Sequence, residues 1–261
     1  MRNLKLIFLL SLVMALVVEG RPGLQDEATL LVNLRSQEWK DRAVAVAALD
    51  RDLGKVNALG LREELLKLLA QENKVTDDLF REGIGTNGRY GEDFAEYYAH
   101  LLGVVFRTAN QADPQTLRVL AFSSYNPDSQ YARDLADSGG GALLPLAIEL
   151  LNSDIAPKQW NALGLLGRLY EKRVNHKFSP GLLQSIKSRI VEATRHVNSS
   201  IRMEALRVLG EIGTREDIPL LQRVASSDPY VRRGGDGRPD RYLVRERAQD
   251  AIKVIEARFP R

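Results

Sequence analysis

A helical phrase recurs in this chain at a fixed step, and that recurrence constrains the fold more than any other feature. Ile201-Arg202, Ala205 and Val208-Leu209 return 43 positions later as Val244-Arg245, Ala248 and Ala251-Ile252. One step earlier, Ala162 stands where Ala205 does, with Leu165-Leu166 on the following turn. A period of this size marks an array of stacked helical units. Each unit is too short to bury its own apolar stripe, so neighbours must cover it and the core runs on along the array. The step is not uniform. From Ala132 to Ala162 it is 30, and the later excess lies in the 171–180 crossover and the 233–241 insertion.

The rest of the chain also reads as helices, with almost no alternation of period two. Helical segments are predicted over 39–49, 61–71, 92–106, 114–122, 128–136 and 142–151, then 158–170, 180–196, 200–212, 216–225 and 242–257. Leu61, Leu65, Leu66, Leu68 and Leu69 make one stripe that needs a covering neighbour. Asp113-Pro114 and Ser179-Pro180 each pair an N-cap residue with proline at the first helical position.

The first twenty residues are of another kind. Arg2 and Lys5 precede an apolar run from Leu6 to Val18, and Val18-Glu19-Gly20 supplies a cleavage region. This is the layout of a secretory signal peptide. A run of 13 residues makes about 20 Å of helix, short of the ~30 Å hydrocarbon core that an anchor must cross. The expectation is cleavage near Gly20 and a periplasmic or secreted chain, with a single repeat domain over 21–261 and no stable membrane insertion. The sequence has no cysteine, which excludes disulfides, thiolate metal sites and cysteine nucleophiles. An exported protein held by packing alone fits a bacterial envelope. The net charge of +3 gives no basic stripe of the kind a nucleic-acid binder carries.

The phrase from Ile201 to Gly213, followed by Asp217-Ile218-Pro219-Leu220-Leu221 and by Asp228-Pro229-Tyr230-Val231-Arg232, resembles the HEAT repeat. It is closest to the short bacterial type of the phycocyanobilin lyases. Gly141-Ala142-Leu143-Leu144-Pro145 matches the second-helix half, and Arg42, Ala45 and Ala48-Leu49 the first. The match is strong from about residue 128 to 261 and degenerate over 72–127. The resemblance implies an all-α fold, an α-α superhelix forming a right-handed solenoid of five or six repeats. It implies that Arg42, Arg202 and Arg245 lie near turns and meet an acidic group of a neighbouring repeat. In such an array the stacked second helices are expected to form a concave face that grips a protein or peptide.

Two inserted loops are candidate binding surfaces. Within 81–91, Gly83, Gly85 and Gly88 spell G-x-G-x-x-G, but a helix precedes them where a dinucleotide site needs a strand. Tyr90, Tyr97 and Tyr98 beside this loop form either an interaction patch or part of the core. Within 232–247, Arg232, Arg233, Arg238 and Arg241, with Arg245 and Arg247, face Asp236, Asp240 and Glu246. Such a loop either holds an anion or acidic polymer through bidentate arginines or closes on itself as ion pairs. Trp39 and Trp160 are expected to pack between repeats.

No catalytic constellation stands out. His100, His176 and His196 are scattered, none is followed by glutamate, and no metal-ligand or nucleophile spacing occurs. The expectation is therefore a non-enzymatic exported scaffold without cofactor or metal that binds a protein or peptide, not nucleic acid. Anion binding at 232–247 is the alternative, and a lyase-like activity rests on the resemblance alone.

Overall fold

The computed structural model describes residues 26–84, 91–111, 113–124, 130–172, 179–235 and 239–260. The expected signal segment, Tyr90, Arg238, His176 and most of the glycine-rich motif lie outside these residues. Every regular element described is a helix: α1 Glu27–Leu34, α2 Trp39–Arg51, α3 Leu53–Ala58, α4 Arg62–Arg81, α5 Gly91–Thr108, α6 Pro114–Ala121 and α7 Gln130–Gly139. Then follow α8 Leu143–Leu151, α9 Ala156–Glu171, α10 Pro180–Ala193, α11 Ser199–Ile212, α12 Ile218–Ser227 and α13 Leu243–Arg258. The expected all-α superhelical solenoid is the observed fold. Two short helices, α1 and α3, were not predicted, and α4 extends ten residues past the predicted end at Gln71.

Each helix that carries the repeated phrase packs on the helix before it and on the phrase-bearing helices of the neighbouring units. The units are thus the hairpins α1/α2, α4/α5, α6/α7, α8/α9, α10/α11 and α12/α13. Their second members form one continuous row: α2 on α5, α7 on α9, α9 on α11, and α11 on α13. Phe106 and Tyr131, with ring centroids 5.0 Å apart, join α5 to α7. One core cluster runs from Leu30 to Ile255 without a break.

The 43-residue echo is a contact made twice. Gly167 of α9 lies against Val208 of α11, and Gly210 of α11 lies against Ala251 of α13. Both partners advance by the same step, so one packing rule is written twice. A Cβ on Gly210 would stand 3.0 Å from the Ala251 Cα, and one on Gly167 2.7 Å from a Val208 methyl. Removing the side chain lets the two backbones approach closely.

Local signals set the helix starts. Asp113 accepts from the Thr116 N–H at 2.8 Å ahead of Pro114, and Ser179 accepts from Leu182 ahead of Pro180, both as predicted. Asn198 is the N-cap of α11 and accepts from the Ser200 N–H at 2.8 Å.

Candidate functional site

The arginines of the repeated phrase are structural clamps. Arg202 Nη1 donates to the carbonyls of His196 and Val197 in the turn before α11, at 2.8 and 2.9 Å. Its Nε and Nη2 donate to both oxygens of Asp228 at 2.7 and 3.0 Å, in a pair that is nearly fully buried. Arg42 does the same 160 residues earlier. Its Nη1 donates to Ser36 and Gln37 carbonyls at 2.9 and 2.8 Å, and its Nη2 to Glu72 at 2.6 Å. Each guanidinium therefore fastens its own hairpin turn and reaches into the next hairpin.

In α9 the task is divided. Gln159 stands at the arginine position and donates to the Ser153 carbonyl at 2.8 Å, while adjacent Lys158 pairs with Asp77 of α4. Arg245 differs because the insertion displaces its turn: it donates to the Asp228 carbonyl at 2.7 Å and stacks over Tyr242 at 4.4 Å. Asp228 thus holds Arg202 by its side chain and Arg245 by its backbone.

Tyr97 and Tyr98 are core residues, at 2 and 4 % exposure, and so cannot present an aromatic surface. Tyr97 stacks on Trp39 with centroids 6.1 Å apart and donates to Glu72 at 2.8 Å. Burial, then the nearby Glu72 charge, raises its phenol pKa, so it remains a donor. The Tyr98 hydroxyl donates to Asn73 and accepts from the Ser124 N–H, and burial raises its pKa too. Glu72, Asn73 and Asp77 form a buried or half-buried polar seam on α4 that serves Tyr97, Tyr98 and Lys158.

The arginine-rich insertion splits into two parts. Arg232 and Arg241 exchange both backbone hydrogen bonds at 2.8 and 2.9 Å, pinning the loop at its base. Asp240 accepts from the Gly234 N–H, and Arg241 pairs with Glu246. Arg241 is therefore spent inside the loop. Arg232 and Arg233 are exposed, and among the described residues neither side chain has a partner.

Open grooves lie along the chain's hairpin turns. One of about 390 Å³ runs between the turn at Ser36 and α4, and a neighbour of about 570 Å³ between α4 and α6; Lys67 lines both. A third of about 490 Å³ lies between the turn at 194–197 and α12, with Arg202 and Asp228 among its walls. Beside it, a mainly apolar groove of about 350 Å³ is lined by Pro157, Trp160, Ile201 and Met203. Arg195 and Arg223, which face the third groove, were not singled out by sequence. They are lone arginines in separate helical segments, with no motif to join them.

The two described histidines, His100 and His196, fit this structural pattern. His100 Nδ1 lies 2.8 Å from Asp50, whose other oxygen takes Arg107, so the cluster ties α2 to α5. His196 accepts from the Asn198 N–H at 3.0 Å. Among the described residues, no group of three or more potential ligands assembles into a metal site. None of the described helices is long and apolar enough to cross a membrane.

No family model and no curated protein matches the sequence. Solved structures similar to this chain include the following two. An engineered protein, 18% identical, covers 90% of this chain and 100% of its own with a TM-score of 0.47. A designed armadillo repeat protein, 14% identical, covers 87% and 98% with a TM-score of 0.43.

Proposed function

We propose that this chain is an exported, non-enzymatic scaffold that holds another protein along the grooves between its hairpins. The observation that carries this reading is the division of its polar groups. Most of the buried charged side chains are engaged in clamps between hairpins, as in Arg42–Glu72, Lys158–Asp77, Lys187–Asp217 and Arg202–Asp228, while buried Glu204 pairs with Arg207 within α11. The grooves, by contrast, open to solvent with arginine, lysine and amide side chains on their walls. Shallow, repeated surfaces of this kind suit extended contact with a macromolecule. Export is supported by the apolar run from Leu6 to Val18 behind Arg2 and Lys5.

Aromatic residues, common anchors in interfaces, are missing from the three polar grooves and occur at the neighbouring one through Trp160. Contact is therefore expected to be polar along α4 and to find its apolar anchor near α9 and α11.

A photo-crosslinking residue placed at Lys67, between two grooves, tests the reading against the same probe at exposed Lys253 of α13. In cells of the source organism, position 67 should yield a discrete protein adduct and position 253 none. Equal, diffuse labelling from both positions contradicts a groove-bound partner.

A further inference from the structure

We infer that the edge built by residues 194–203 and α12 receives an extended acidic polypeptide segment of a partner protein, carrying one large apolar anchor. This rests on the scaffold reading above and narrows it to a place and a chemistry.

The charge on this edge is free where it faces solvent and consumed where it does not. Arg202 and Asp228, in the wall of the groove, neutralise each other, and the rest of the Arg202 guanidinium is turned to the His196 and Val197 carbonyls. Arg195 and Arg223 line the same groove, both exposed, and neither guanidinium has a partner among the described residues. The one carboxylate in the lining is Asp228, already bound. Two uncommitted guanidinium groups thus face one trough with no free acid. Guanidinium prefers carboxylate in a forked, two-bond geometry. Arg232 and Arg233, whose side chains also have no partner among the described residues, follow in the chain after Pro229 and Tyr230.

The same turn carries an apolar groove on its other side. Val197 stands between the two grooves at 90% exposure, although the residues around it are capped and clamped. Beyond it, Pro157, Trp160, Ile201 and Met203 line a groove whose wall is mostly apolar; Pro157, Trp160 and Met203 are half-buried. A half-buried tryptophan beside a methionine is the usual seat of an interface anchor. An anion alone would use only the basic trough, and an apolar peptide only the second groove. A segment with carboxylates on one side of a single large apolar residue uses both, crossing over Val197.

The test uses the full mature chain and dye-labelled synthetic peptides in which one phenylalanine is flanked by glutamates. Anisotropy titrations should show binding that weakens as salt rises, since the rim charges are exposed. The Arg195→Ala/Arg223→Ala double variant should weaken it about tenfold, the scale of two rim ion pairs with a charged ligand. Met203→Asp should weaken it by a similar factor, and replacing the peptide's phenylalanine by serine should do the same to the unaltered protein. Circular dichroism and urea midpoints establish that each variant is folded; if Met203→Asp unfolds, Met203→Ala replaces it. Affinity unchanged in the arginine variant overturns the inference. So does equal affinity for polyglutamate or for a single-stranded oligonucleotide, either of which would leave the apolar groove without a role. No binding by any peptide overturns it as well, while a discrete adduct from position 67 would leave the scaffold reading standing.

Discussion

At the scale of single residues, the chain separates arginines that hold the fold from arginines that face outward. Arg42 and Arg202 make the same contacts 160 residues apart, each to two turn carbonyls and one acid. The resemblance to HEAT repeats placed these arginines near turns, but their acids were not legible. Glu72 and Asp228 are 30 and 26 residues downstream and look like any surface carboxylate until the helices stack. Exposed pairs form a second class. Arg118 grips both oxygens of Glu149 at 2.8 and 2.5 Å, and this hydrogen bonding holds Glu149 below its ordinary value. Arg81 does the same to Asp154. A lowered carboxyl stabilises the fold above its ordinary pKa and loses that contribution as pH falls through the folded value. Glu149→Gln should therefore cost under about 1 kcal/mol at neutral pH, and the gap from the unaltered protein should close below about pH 4. Urea midpoints across that range measure it; a gap that widens in acid contradicts the assignment.

At the scale of elements, periodicity located the longer helices with apolar buried faces, and missed the polar-faced end of α4 and two short helices. The predicted α4 stopped at Gln71 because the next buried positions are Glu72, Asn73 and Thr76, which read as a solvated surface. Helix α1 has eight residues with Val32 exposed, and α3 has six, so neither shows a stripe. Tyr97 and Tyr98 were ambiguous for the same reason: a tyrosine serves a polar core seam as well as a surface. The edge at Arg195 and Arg223 comes from hairpin stacking and has no counterpart in local sequence. The repeated glycine contact is the element-scale feature most open to test. Gly167→Ala puts a methyl against Val208 and should destabilise by about 1–3 kcal/mol. Adding Val208→Ala removes the colliding methyls, so the double variant should lose less than the two single costs combined. Strict additivity in urea unfolding would show that the two helices do not meet there.

At the scale of the whole molecule, stability and recognition are assigned to different side chains of one groove. Arg202 and Asp228 join hairpin α10/α11 to the end of α12, and the Asp228 carbonyl carries the link to α13 through Arg245. Arg195 and Arg223 open on the same groove and hold nothing in place within the described fold. The departures from the uniform repeat are where the chain differs from a plain array: the pinned 232–241 insertion, the split clamp of α9, and the basic edge beside Trp160. One measurement tests this division directly, the urea unfolding free energy of three variants compared with the unaltered protein. Arg202→Ala and Asp228→Ala should each lose about 3 kcal/mol, because each leaves a buried charge unpaired. The Arg195→Ala/Arg223→Ala variant should stay within about 0.5 kcal/mol, as unpaired surface side chains do. A loss in the double variant as large as in Arg202→Ala would contradict the account.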